Sequence, residues 1–132
     1  MRAILEGICF NLHTVLKDLS KLTGRPNKII ATGGLSRSDV WRQLLTDVFN
    51  QPIDFPENIE SSCLGTAVIG LKGINKINDI TEVQSLYGMN YWHKPQPKEA
   101  ELYKRMFPIY EQLSLTFTGL YHQISEFQKT LG

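Results

Sequence analysis

The chain has almost no excess charge and few cysteines, and both shortages narrow what it can do. Fourteen Lys and Arg residues stand against thirteen Asp and Glu residues, a formal net charge of +1 at pH 7. This balance gives no electrostatic reason to expect a nucleic acid or an anionic membrane surface as a partner. The two cysteines, Cys9 and Cys63, fit reduced thiols better than a disulfide framework.

Long apolar runs and metal-ligand spacings are also absent from the sequence. No apolar run approaches the roughly 20 residues that span a bilayer, and the charged-then-apolar pattern of a signal peptide is missing. We therefore expect a cytoplasmic protein that does not contact a membrane. His13, His93 and His122 lie far apart, and no cysteine or carboxylate stands at a diagnostic interval from them. The sequence therefore predicts no metal site in this chain.

Amphipathic helices separated by short apolar segments make up the rest of the pattern. The length of 132 residues and the 42% hydrophobic content suit one domain with a core. Apolar residues at three- and four-residue steps predict helices over 2–22 and 39–49, and a long helix from Glu99 onward that is kinked near Pro108. Packing in the core is the default interpretation of the aromatic stripe on this last helix, and a partner-binding face is the alternative.

Two short strands are predicted, over 28–32 and 52–56, as a parallel pair with a right-handed crossover. The prolines that bound the second strand place it toward a sheet edge. The segment 74–88 is compatible with a short helix plus a loop, and the proline-marked segment 91–97 is interpreted as a connection.

The most informative segment is 28–43, where the first strand pattern leads directly into paired glycines and a helix start. Gly33 and Gly34 let the main chain turn sharply with no Cβ in the way of a ligand. Ser36 or Ser38 can cap the following helix, whose free N–H groups and positive dipole end suit an anion or a polar ring edge. This arrangement is typical of a strand–turn–helix nucleotide site, although it also occurs as a tight connection in any α/β protein.

A second segment, 60–71, has small residues that open a helix suited to close packing. Four segments together resemble the carboxy-terminal half of the FGGY carbohydrate kinases: Met-Arg-Ala-Ile-Leu-Glu-Gly at 1–7, Ala-Thr-Gly-Gly at 31–34, Asp-Val-Trp-Arg-Gln at 39–43 and Glu-Ser-Ser-Cys-Leu-Gly at 60–65. The resemblance covers nearly the whole chain and is weakest between 74 and 97. Within the family, the kinases that act on gluconate are the most similar.

The resemblance implies an α/β fold, the carboxy-terminal part of an actin-like ATPase (ribonuclease H-like) domain. This part is helix-rich, with short parallel strands, flanking helices and a long C-terminal helix. The implied reaction is the ATP- and Mg²⁺-dependent phosphorylation of D-gluconate to 6-phosphogluconate. Residues 1–132 are then expected to be a fragment of the nucleotide-side domain that lacks the catalytic carboxylate, the phosphate loops and the magnesium ligands. No catalytic residue is therefore expected in this chain.

The resemblance also assigns candidate contacts to an adenine nucleotide. Gly34 matches the position where the backbone lies against the adenine or ribose, and Gly33 lies beside it. Ser38 occupies the position from which relatives can offer an Asn to the base, and Trp41 could stack near that base. The alternatives are turn geometry for Gly33 and Gly34, a helix cap for Ser38 and core packing for Trp41. Asp39 is interpreted as a first-turn acid that complements the helix dipole.

Three further expectations concern packing and association. Glu6 is expected to be solvated, with pairing in the complete enzyme as the alternative, and Cys63 is expected to be buried beside its neighbours. The family has a three-stranded meander before the first helix, and only two strands are predicted here, so an open strand edge favours a homo-oligomer. The rival functions are a non-catalytic α-helical interaction or oligomerisation module, and a family kinase for another sugar such as xylulose or glycerol.

Overall fold

The computed structural model describes residues 2–56, 61–80 and 90–130. Their helices and strands are, in chain order, α1 (Arg2–Thr23), β1 (Ile29–Ile30), α2 (Asp39–Phe49), β2 (Ile53–Pro56), α3 (Ser61–Gly73), β3 (Asn90–His93) and α4 (Pro97–Lys129). A 3₁₀ turn over Gly34–Arg37 precedes α2. The helices predicted over 2–22 and 39–49 are confirmed, and β1 is shorter than the predicted strand.

The strands form one sheet in the order β1-β2-β3, with β2 in the middle. β1 pairs with β2 in parallel, and Ile29 lies opposite Ile53. The prediction that the proline-bounded strand lies at an edge is therefore wrong for the described sheet. Pro52 lies before the strand and Pro56 is its last residue, so the missing N–H groups weaken only the ends of the ladder.

The third strand was not predicted, because the segment 91–97 reads locally as a connection. β3 instead pairs antiparallel with β2, with His93 opposite Ile53 and Trp92 opposite Asp54. This pairing joins residues about 40 positions apart, which no local pattern reveals. The predicted helix plus loop over 74–88 lies largely outside the described residues.

Three helices, α1, α2 and α4, pack around the core. Its buried side chains come from α1, α2, β2 and α4: Cys9, Phe10, Leu44, Leu45, Val48, Phe49, Ile53, Phe55 and Tyr103. The apolar residues of α1 follow the spacing of an amphipathic helix. In the structure the helix buries Cys9 and Phe10 and leaves Ile8, Leu12 and Val15 exposed. The apolar arc of α1 is therefore wider than the surface that α2 and α4 cover.

The stripe on α4 also divides into two parts. Tyr103 is 1% exposed, and the Phe10 ring lies 5.9 Å from the Tyr103 ring and 5.2 Å from the Tyr110 ring. Beyond Tyr110 the same stripe is exposed, so the expected core packing holds only for its first part. The helix continues through Pro108, and the kink there stays a prediction.

Glu6 is paired within the chain, so the expectation that it is solvated is wrong. Its Oε1 accepts hydrogen bonds from Arg2 Nε at 2.8 Å and from the Tyr103 hydroxyl at 2.9 Å. Its side chain is 17% exposed. The packing of α4 against α1 brings Tyr103 to Glu6 from 97 residues away, which the helical pattern of α1 alone could not show.

The two cysteines have opposite environments. Cys9 is fully buried, whereas Cys63 lies on the exposed side of α3, contrary to the expected packing. Burial, and then the charge of Glu6, raise the pKa of the Cys9 thiol from its ordinary value of 9.0 to about 12. The native chain therefore keeps Cys9 as a neutral, unreactive thiol.

We expect a thiol reagent such as Ellman's reagent at pH 8 to modify one cysteine at once and the second only on unfolding. Because the folded pKa of Cys9 is raised, its stabilising effect is complete below pH 9 and is lost between pH 9 and about 12. A Cys63→Ser variant should show no fast thiol. Two fast thiols in the native chain would contradict the burial of Cys9.

Candidate functional site

The turn after β1 is built on Gly33. Its φ of 96° is left-handed backbone that favours glycine. The Ser36 N–H donates to the Gly33 carbonyl at 3.0 Å, and the Ser36 hydroxyl donates to the same oxygen at 2.6 Å. Ser36 is buried, so the turn is closed from within the protein. The sharp turn predicted from the paired glycines is confirmed at Gly33.

Position 34, unlike position 33, does not require glycine for its backbone conformation. Its φ is not left-handed, and a Cβ built on it would meet no atom within 4 Å in the described structure. Neither backbone conformation nor packing among the described residues therefore demands glycine at position 34. The space beside its Cα is open, as the approach of a ligand to the main chain would need.

Ser38 is the N-cap residue of α2, but it does not cap through its side chain. Its backbone is extended, with φ −105° and ψ 125°, and its side chain makes no capping hydrogen bond. The prediction that Ser36 or Ser38 caps α2 is therefore wrong for both residues, since the Ser36 hydroxyl bonds to Gly33. The amides of the first turn of α2, together with the Ser38 hydroxyl, remain available for a polar ligand.

Asp39 in the first turn of α2 is held by two cationic or hydrogen-bonding partners. His93 Nε2 lies 3.0 Å from Asp39 Oδ1, and Arg42 Nη2 donates to the same oxygen at 3.1 Å. These hydrogen bonds, that of His93 first, lower the pKa of the Asp39 carboxyl. The lowered pKa keeps Asp39 charged beside the positive end of the α2 dipole, in agreement with the first-turn role. The same lowered pKa makes the carboxylate a weak general base.

Sequence reasoning missed His93 and Arg42. The spacing of the histidines gave His93 no carboxylate partner, yet β3 brings it to Asp39 from 54 residues away. Arg42 also donates from Nη1 to the Ser36 carbonyl at 2.7 Å, and its side chain is 12% exposed. Arg42 therefore ties the turn to α2, and no local signal marks it for this task.

Trp41 is half-buried and packs against the core, in line with the packing alternative weighed for it. The residue is only partly buried.

Nearly two turns further along α2, Asp47 is buried and accepts hydrogen bonds from Gln43 Nε2 at 2.9 Å and from the Gln96 N–H at 2.7 Å. Asp47 thus fixes the start of α4 to α2.

The candidate site lies at the carboxyl edge of the parallel strands. β1 leads into the Gly33 turn, and β2 runs parallel to β1, so α2 and α3 both follow strand ends on one edge. Ligands of open α/β sheets bind at this edge.

In the described part of the chain, no three His, Cys, Asp or Glu side chains form a group that could hold a metal ion. None of its helices combines the length and apolar character needed to cross a membrane.

Comparison with known proteins gives the chain a family. Residues 1–74 match the family described as FGGY family of carbohydrate kinases, C-terminal domain. The gluconokinase of Bacillus licheniformis is 39% identical over 133 residues, an alignment that covers 100% of this chain and 26% of that protein. The chain thus spans about a quarter of the length of the curated relatives it matches.

Solved structures agree with the sequence match. The crystal structure of gluconate kinase from Lactobacillus acidophilus superposes with a TM-score of 0.82 at 32% identity, covering 93% of this chain and 25% of that one. The ligand-bound xylulose kinase from the same organism gives a TM-score of 0.83, also at 32% identity and with the same coverage. The expected fold, the helix-rich carboxy-terminal part of an actin-like ATPase domain, is confirmed. The chain belongs to the FGGY family of carbohydrate kinases.

Proposed function

We propose that the chain supplies part of the adenine-nucleotide site of a cytoplasmic, ATP-dependent sugar-acid kinase. The observation that carries the proposal is the open space beside Gly34, at the start of the 3₁₀ turn that precedes α2. The flat face of an adenine or ribose can approach the main chain there because no side chain intervenes. Gly33 shapes the turn, Ser38 offers its hydroxyl to the base, and the accessible part of Trp41 lies one turn further on.

The donors at this site fit the adenosine part of ATP better than its triphosphate. The backbone N–H groups and the Ser38 hydroxyl can donate to ring nitrogens and sugar oxygens, and Arg42 is engaged by the Ser36 carbonyl and Asp39 rather than free for a phosphate. Mg²⁺ belongs with the phosphates in this proposal, and no step of it uses a metal ligand from the described residues. The chain's own residues therefore bind and orient the nucleotide, and catalysis depends on groups beyond them.

Gluconate is the proposed substrate, with 6-phosphogluconate as the product. The 39% identity to the Bacillus licheniformis gluconokinase supports it. Xylulose is the alternative, because the xylulose kinase and the gluconate kinase of Lactobacillus acidophilus are both 32% identical to this chain.

Titration of the ¹⁵N-labelled chain with ADP tests the nucleotide site directly. We expect saturable shifts at the amides of Gly33, Gly34 and Ser38, and smaller shifts on α4. Uridine diphosphate carries the same phosphates and serves as the control for binding through charge alone. Equal shifts with both nucleotides, or no shift near Gly34, would contradict the proposal.

We expect the 132-residue chain alone to show no phosphorylation of gluconate with MgATP. Positioning and charge stabilisation around the transferred phosphoryl group provide most of the rate, and the residues found here supply neither. A coupled assay for 6-phosphogluconate measures this. Turnover that scales with the chain's concentration through purification would refute the expectation.

A second role, self-association, is favoured by the exposed part of α4. We call Leu113, Phe117, Leu120, Ile124 and Phe127 the distal stripe; they are between 41% and 63% exposed. Their steps of four and three residues continue the spacing of the buried Tyr103 and the half-buried Tyr110, and this spacing is the seam of a helix pair. Residues 112–125 carry no Asp, Glu, Lys or Arg, so no like charges oppose contact between two copies. A second copy of the chain is therefore the proposed partner.

Sedimentation velocity at micromolar concentration should show a dimer of the chain. Leu120→Lys should give a monomer, because it places two buried ammonium groups in the seam. Thr118→Lys adds the same charge on another side of α4 and should leave the dimer intact. A wild-type monomer whose α4 remains helical would rule out this partner.

A further inference from the structure

A cavity lies on the opposite edge of the sheet from Gly33. Its volume is about 480 Å³, and its lining includes His13, Arg25, Asn50, Gln51, Lys104 and Phe107. Positions 25 and 26 precede β1, and positions 50 and 51 precede β2. The cavity is therefore at the amino ends of the parallel strands, away from the candidate nucleotide site.

The charge of this cavity is positive. Arg25 and Lys104 line it, and no Asp or Glu does so among the described residues. Lys104 approaches Glu101 only at 3.8 Å, with both side chains mostly exposed, so that pair is weak. The nearby Glu111 is already bound by Lys17, whose Nζ donates to its two oxygens at 2.6 and 2.8 Å.

His13 adds a group whose hydrogen bonding is incomplete. Its ring meets the Phe107 ring edge-on at 4.4 Å, and its Nδ1 is buried with no hydrogen-bond partner in the described structure. Burial lowers the pKa of His13, while Glu111 raises it and Lys17 lowers it. The imidazole is therefore neutral at pH 7. An anion in the cavity would favour the imidazolium, so His13 would report its binding.

We propose that this cavity binds a small phosphate ester, with Arg25 and Lys104 on the phosphate group. A dianion calls for two cations, and the planar guanidinium of Arg25 can bond two phosphate oxygens at once. The volume of about 480 Å³ lies within the range of small-molecule sites and exceeds the needs of free phosphate. The side-chain amides of Asn50 and Gln51 suit the hydroxyls of a polyol. The C-terminal end of α2 borders the cavity and opposes an anion, so binding depends on the two cations.

The test follows the imidazole of His13 by NMR during separate titrations with inorganic phosphate, 6-phosphogluconate and gluconate. We expect saturable shifts and a raised pKa of His13 with both phosphate compounds, tighter binding of the ester, and no response to gluconate. Arg25→Gln and Lys104→Gln should each weaken binding roughly tenfold or more. Lys129→Gln removes the same charge at the far end of α4 and should leave the affinity unchanged.

Three results would overturn this inference. They are the absence of a saturable shift at His13, equal binding of gluconate, and equal weakening by Lys129→Gln and Arg25→Gln. Circular dichroism of each variant separates lost binding from lost folding. Because the cavity and the Gly34 site lie on opposite sheet edges, ADP titration stays an independent measurement, and either site can fail alone.

Discussion

Replacing Tyr103 by Ala should remove a large share of the chain's free energy of unfolding. Tyr103 is 1% exposed, its ring meets Phe10 edge-on at 5.9 Å, and its hydroxyl donates to Glu6. Removing a buried aromatic side chain costs roughly 3–5 kcal/mol. A typical domain has only about 5–15 kcal/mol of stability. Urea denaturation followed by circular dichroism measures the loss.

Two further variants separate packing from hydrogen bonding at Tyr103. Tyr103→Phe keeps the ring and removes the hydroxyl, and it should cost about 1.5 kcal/mol because Glu6 loses one of its two donors. Leu102→Ala truncates the neighbouring residue, which is 46% exposed, and should change stability by less than about 0.5 kcal/mol. If Tyr103→Ala were no more destabilising than Leu102→Ala, the packing of α4 on α1 would be disproved.

The parts of the fold that the sequence predicts correctly depend on local patterns. The pattern predicts α2 at 39–49 because Val40, Leu44, Leu45 and Val48 recur on one helical face, and the structure buries all of them except Val40, which is 68% exposed. β3 was missed because its pairing with β2 is a contact between distant segments. The distal stripe of α4 shows what a correct local pattern leaves open. Periodicity reveals an apolar face but does not say whether the same chain covers it.

The candidate site divides in the same way. The turn at Gly33 can be predicted from the paired glycines at 33 and 34, since few other residues favour left-handed backbone after a strand. The contacts that hold this turn could not be predicted, because Asp39 meets His93 only through β3. The error at Ser38 has no explanation in the described contacts: its backbone takes the N-cap conformation without the side-chain bond.

The two neighbouring glycines should respond to the same substitution in opposite ways. Gly34→Val should weaken ADP binding by at least about tenfold, or 1.4 kcal/mol, while the stability of the chain stays close to that of the wild type. A Cβ at position 34 would meet no atom within 4 Å in the described structure and needs no left-handed backbone, so the valine side chain would extend into the space proposed for the ligand. In the complete kinase, the same variant should raise the KM for ATP by a larger factor than the KM for gluconate.

Gly33→Val is the matched control for this experiment, because it makes the same substitution at the neighbouring residue. At a φ of 96°, a branched side chain strains the backbone by roughly 1–3 kcal/mol, so this variant should lose stability. ADP titration by NMR and urea denaturation on both variants give the two readouts. If Gly34→Val destabilised the chain as much as Gly33→Val while the folded fraction bound ADP normally, position 34 would be structural, and the nucleotide would have to bind elsewhere.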